Sequence, residues 1–125
     1  MRTKTGLMRM NSSIIEQGEL IVADILFAEQ NAAKRRLALV ISKTEYNEHS
    51  RDIIALKVTS QDHSDYFSIP LTNSDTAKKT LKKESFVVAD FPTTISKQNV
   101  FARPDMVSGK KLAEIKAKIR ELYEL

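Results

Sequence analysis

Apolar, β-branched residues come in short runs separated by polar segments, and only the last apolar pattern repeats at helical spacing. That alternation restricts the chain to a small, mainly β fold. Residues 19–27, 36–42, 52–60, 65–71 and 84–90 each read as a strand. Residues 92–95 add a short sixth. Pro70 lacks a backbone donor, so the fourth strand ends there or runs along an edge. Between the strands, residues 28–35 read as a cationic loop, 44–51 as a polar connection, 61–64 as a turn and 72–83 as a polar, Lys-rich segment. Ser96 is positioned to cap one helical turn over residues 96–101. Ser108 is a second cap, followed by Leu112, Ile115, Ile119 and Leu122 at three- and four-residue steps. Glu114 and Lys118 stand at i,i+4 in the favourable order. The apolar stripe of this last helix is expected to pack on the domain's own sheet. Five or six strands without alternating helices describe a small antiparallel barrel or sandwich with helical additions.

At 125 residues the chain is one domain, large enough to bury roughly two-thirds of its unfolded surface. Residues 1–17 read as a basic leader, and 18–125, opened by Gly18, as the domain. Met8 and Met10 leave open a translation start later than Met1. The longest uninterrupted apolar run, residues 37–41, is too short for a membrane span or a signal-peptide core. Lys and Arg number 20 against 16 Asp and Glu, a formal charge of +4 that favours polyanions.

The absence of cysteine removes disulfides, thiolate metal sites and a Cys nucleophile, and fits a cytoplasmic protein. The two histidines, His49 and His63, stand in no ligand-like cluster, so neither a metal nor another cofactor is expected. His63 lies in a polar turn. The three glycines are isolated, so there is no Gly-rich phosphate loop, and no Ser elbow occurs. Three local features remain. Lys34, Arg35 and Arg36 stand at the mouth of a strand, and arginine offers bidentate bonding to phosphate oxygens. Thr59, Ser60 and Gln61 close another strand with hydroxyls and an amide. Glu29 and Gln30 supply polar groups in the loop before the cations.

In order and spacing these segments resemble the MazF/PemK-like toxins of bacterial toxin–antitoxin systems. Gly18-Glu-Leu-Ile-Val-Ala-Asp24 resembles that family's opening strand. Arg36-Leu-Ala-Leu-Val-Ile-Ser42 is similar to its "RPALVIS" strand, and Ile54-Ala-Leu-Lys-Val-Thr-Ser60 to its hydrophobic–Thr–Ser strand. Residues 66–71 resemble its hydrophobic–Pro–Leu strand, and Lys83-Glu-Ser-Phe-Val-Val, Ile95-Ser-Lys-Gln and the last helix fit its second half. The resemblance covers residues 17–125. It implies a compact SH3-like β-barrel with helical additions and a C-terminal α-helix, usually a homodimer. It also implies a metal-independent, sequence-selective endoribonuclease acting on single-stranded RNA and neutralised by an antitoxin protein. The family's catalytic Arg falls on Arg36 and its catalytic Thr or Ser on Thr59. The chain departs from the pattern at Leu37, where the family has Pro, in the glycine-poor loop 31–35, and at Thr93, where some relatives carry Arg.

RNA cleavage by its own 2′-hydroxyl builds negative charge on the phosphorus oxygens, and fixed donors aimed at that charge lower the barrier. Arg36 and the Thr59 hydroxyl suit that role. Arginine is a poor general base, since its pKa exceeds about 12. Glu29, Gln30, Lys34, Arg35, Ser60 and Gln61 are then expected to hold the RNA. Two other classes fit the same residues: a non-catalytic nucleic-acid-binding barrel, and a protein-interaction domain whose basic loop meets an acidic partner. Arg36 and Thr59 on one face favour the nuclease; Arg36 tied to a structural carboxylate favours the others.

Overall fold

The computed structural model describes residues 14–25, 33–61 and 66–125. Six strands form one antiparallel sheet: β1 (Glu19–Ile25), β2 (Lys34–Val40), β3 (Asp52–Thr59), β4 (Ser68–Leu71), β5 (Ser85–Ser96) and β6 (Val100–Met106). Their order across the sheet is β4-β5-β3-β2-β1-β6. A short helix, α1 (Thr44–His49), joins β2 to β3, and α2 (Gly109–Tyr123) follows β6. The expected mainly β fold with a C-terminal helix is present. The sheet is left open: β4 and β6 do not pair, and a bridge between Thr76 and Val107 ties the segments that follow them.

Strand alternation sends apolar residues to both sides of the sheet. On one face Ile21, Ala23, Ile25, Ala38, Val40, Ile53 and Ala55 pack with Ile15 and Ile95. On the other, Leu20, Leu39, Leu56, Val58, Ile69 and Val87 pack against Ile115 of α2, with Leu112, Ile119 and Leu122 around it. The stripe of α2 is therefore covered by the chain's own sheet, as its spacing predicts. Ser108 caps α2, its hydroxyl accepting from Lys111 N at 3.1 Å. Glu114 pairs with Lys111, and Lys118 with Glu121, in place of the predicted Glu114–Lys118 pair.

Gly18 adopts φ +98°, a region L side chains rarely enter, and its carbonyl accepts from Val107 N at 3.0 Å while its N–H reaches Val40 O at 2.8 Å. It stitches the start of β1 to the ends of both neighbouring strands.

Several sequence boundaries move, each for a physical reason. Lys34 and Arg35 belong to β2 rather than to a loop, because both pair across β1. The connection 44–51 contains α1, which has no apolar stripe to betray it. Its anchor is Asn47, fully buried, donating to Ile15 O at 2.9 Å and Ser42 O at 3.1 Å and accepting from Ser42 Oγ. β4 begins at Ser68, and its edge position agrees with Pro70. The predicted fifth and sixth strands are one continuous β5. β4 pairs only with Ser85–Val88, so β5 is itself an edge at Pro92 and the missing N–H breaks no ladder. Ser96 caps a single 3₁₀ turn, Lys97–Asn99. β6 reads as no strand in sequence, because Arg103 and Asp105 interrupt its apolar character.

Candidate functional site

Arg36 is the third residue of β2 and pairs with Ala23. The β2–β3 ladder runs from Val40–Ala55 to Ala38–Lys57 and stops there. One further same-face step along each strand stands Arg36 on β2 and Thr59 on β3. Both share the face of Ala38 and Lys57, flanking the point where the two strands part. Arg36 is half-buried, and its Nε is fully buried with no hydrogen-bond partner among the described residues. Such a donor costs free energy until an acceptor meets it. Thr59 pairs with Phe86 on β5, and its Oγ1 accepts from Gln61 N at 3.2 Å, fixing the turn out of the strand.

Consecutive positions on a strand point to opposite sides, so the cations Lys34, Arg35 and Arg36 do not form one clamp. Arg35 faces the other way from Arg36. Its Nε donates to Asp24 Oδ1 at 3.2 Å, and its guanidinium lies 3.7 Å from the centroid of the Phe101 ring. Lys34 opens the strand on the side of Arg36 and is exposed. Ser60 and Gln61 are exposed beyond Thr59. Glu29, Gln30 and His63 lie outside the described residues.

A cleft of about 430 Å³ opens at the Thr59 end of β3. Leu20, Val22, Leu37 and Val58 form its apolar floor. Thr59 and Ser60 stand on one side and the strap Thr80-Leu81-Lys82-Lys83 on the other. Sequence reasoning passed over this strap, which read only as a polar Lys-rich segment. Its fixed shape comes from the buried Asp105 on β6. That carboxylate accepts from Lys78 N at 2.7 Å, Thr80 N at 3.0 Å and Thr80 Oγ1 at 2.8 Å, as well as from Met106 N. Burial opposes ionisation of Asp105, but these donors outweigh it and hold the carboxyl at about 2. Asn73 clamps Leu81 from the other direction through both its amide and its carbonyl.

Arg103 binds Glu19 bidentately, Nε to Oε1 at 2.8 Å and Nη2 to Oε2 at 2.6 Å. The Glu19 carboxylate raises the Arg103 pKa, against burial, which lowers it. This pair holds β6 to the start of β1.

Residues 16–123 match the model of the PemK-like, MazF-like toxins of type II toxin–antitoxin systems. The chain belongs to that family. No curated protein sequence matches it. Among solved structures, MazF from Deinococcus radiodurans superposes with a TM-score of 0.72 at 23% identity, over 91% of this chain and 100% of that one. An endoribonuclease from a mycobacterial species gives 0.72 at 17% identity, over 90% and 94%. A mycobacterial endoribonuclease in complex with its cognate antitoxin gives 0.69 at 18% identity, over 91% and 97%. At these identities the likeness establishes the MazF-like fold. No described helix is long and apolar enough to cross a membrane.

Proposed function

We propose that the chain is a sequence-selective endoribonuclease toxin that cuts single-stranded RNA by attack of the substrate's own 2′-hydroxyl. The observation that carries this reading is the buried, unpartnered Nε–H of Arg36 on the same sheet face as Thr59. Arg36 forms no ion pair with a carboxylate among the described residues, unlike Arg35 and Arg103. With no carboxylate to hold it among the described residues, the guanidinium offers its outer N–H groups to a phosphoryl oxygen. As the 2′-oxygen attacks, charge grows on the non-bridging oxygens, and the guanidinium donates to it. The Thr59 hydroxyl donates to the same group once its proton turns outward, its lone pair being held by Gln61 N. Lys34, Ser60 and Gln61 contact the strand on either side. Arg35, spent on Asp24 and Phe101, acts on RNA from the other face of the sheet.

No step of this chemistry calls for a metal ion. Family membership and the likeness to endoribonuclease and toxin–antitoxin structures support an antitoxin protein as partner, a homodimer as the working unit and the cytoplasm as the place of action. A homodimer mass by light scattering at micromolar concentration is the check on assembly.

The deciding experiment uses an RNA oligonucleotide carrying a mapped cleavage sequence and the same oligonucleotide with a 2′-O-methyl group immediately 5′ of the scissile phosphate. The first is cut, in excess chelator as well as without it, and the second survives, as does DNA of the same sequence. Cutting of the methylated strand at a comparable rate would remove the internal-attack mechanism.

A further inference from the structure

Apart from Thr59 and Ser60, the residues of the cleft and of the lysine strap above it have no part in the phosphate chemistry just described. Residues 78–83 carry Lys78, Lys79, Lys82 and Lys83, all exposed and none ion-paired among the described residues. Asp105 beneath them is turned inward onto the amides of Lys78 and Thr80. Lys79 takes the left-handed conformation at φ 56°, uncommon for a side chain of its size, and its N–H reaches Thr76 Oγ1 at 3.1 Å. The strap is thus held in one shape, with its hydrogen bonds spent below and its charge presented above.

Below the strap the cleft has a floor of aliphatic side chains from three strands, with the hydroxyl-bearing Thr59 and Ser60 in its lining. An apolar slot with hydrogen-bonding groups at its edge suits a flat heterocycle that also needs its edge read. Two cations at the same rim suit the phosphates that flank such a ring. Thr59 belongs both to the cleft wall and to the face that carries Arg36, so one strand of RNA passing Arg36 reaches the cleft around the end of β3.

We infer that this cleft is a base-recognition subsite: it takes one extruded base of the RNA adjacent to the scissile bond, with Lys82 and Lys83 on the neighbouring phosphates. This rests on the endoribonuclease reading above and adds to it the residues that choose the sequence.

The test is equilibrium binding, by fluorescence anisotropy, of labelled oligonucleotides made uncleavable by a 2′-O-methyl group and made abasic at one position at a time. With the parent protein, one position next to the scissile bond loses about tenfold or more in affinity when its base is removed. Val22→Phe, which fills the floor, abolishes that sensitivity. The double variant Lys82→Ala, Lys83→Ala, altered only at exposed side chains, lowers the log–log salt slope by about 1.4, at roughly 0.7 per phosphate contact on single strands. A flat abasic scan with the parent protein, or a slope unchanged in the lysine variant, overturns the subsite and leaves the nuclease standing. A lysine variant that keeps its RNA slope but loses affinity for polyglutamate also overturns it, and identifies the strap as a surface for an acidic protein. A parent protein that neither binds nor cuts RNA removes the nuclease reading and this one together.

Discussion

Arg35 and Arg36 are adjacent in sequence and stand on opposite faces of the sheet. Arg35 is satisfied by Asp24 and stacked on Phe101, whereas the Nε of Arg36 is buried and has no partner among the described residues. The two therefore answer to different measurements. Arg36→Ala lowers RNA cleavage by about 10²–10³-fold and abolishes growth arrest, while the melting temperature holds or rises, because an unmet buried donor has been removed. Arg35→Ala costs under about 1 kcal/mol of stability, as expected of an exposed ion pair and cation–π contact. Cleavage assays beside thermal melts separate the pair. Full toxicity in Arg36→Ala takes this residue out of the chemistry.

Asp105 gives the fold an acid dependence. Its pKa is lowered from 3.8 to about 2 in the folded protein, so its contribution is complete above about pH 4 and is lost as pH falls towards 2. The shift corresponds to about 2 kcal/mol. Asp105→Asn is destabilised by about that much at pH 7, and the gap to the parent protein narrows between pH 4 and pH 2. Urea denaturation at several pH values follows it. A gap that stays constant down to pH 2 contradicts the assignment.

Glu19 is buried and answered by Arg103. Arg103→Met leaves that carboxylate without its partner and costs about 3–5 kcal/mol. Glu19→Leu added to Arg103→Met recovers much of the loss, since neither charge then remains. Chemical denaturation of the two variants tests this, and equal stability of the single and double variants counts against a charge-based cost.

Gly18→Ala forces a side chain into φ +98° and brings its Cβ to 3.3 Å from Leu112 Cδ2. The expected loss is about 1–3 kcal/mol. A melting temperature equal to the parent protein's shows that the backbone relaxes there at no cost.

The strands β1, β2 and β3, the cap at Ser108 and the stripe on α2 are legible in the sequence because each is specified by apolar periodicity. What escapes is specified by polar groups buried through long-range pairing. Asn47 anchors α1 through Ile15 and Ser42, Asp105 shapes a strap more than twenty residues earlier in the chain, and Arg103 makes β6 a strand by reaching Glu19. None of these leaves a local signature. For the candidate site, Arg36 and Thr59 are named by the resemblance, which places the family's catalytic Arg and its catalytic Thr or Ser on them. The cleft is not, because its floor is drawn from three strands and its strap from a segment whose composition alone reads as solvated. Leu37, where the chain departs from the family pattern, proves to be part of that floor.

The pairing of β1 with β6 joins residues 77 to 87 positions apart, and α2 comes after both. While the chain is still growing, Glu19 has no arginine to meet it, the Gly18 carbonyl has no Val107, and the core under α2 lacks Ile115. Closing so long a loop is uphill until the contacts that reward it exist. Completion of the fold is thereby deferred until β6 and α2 have been made.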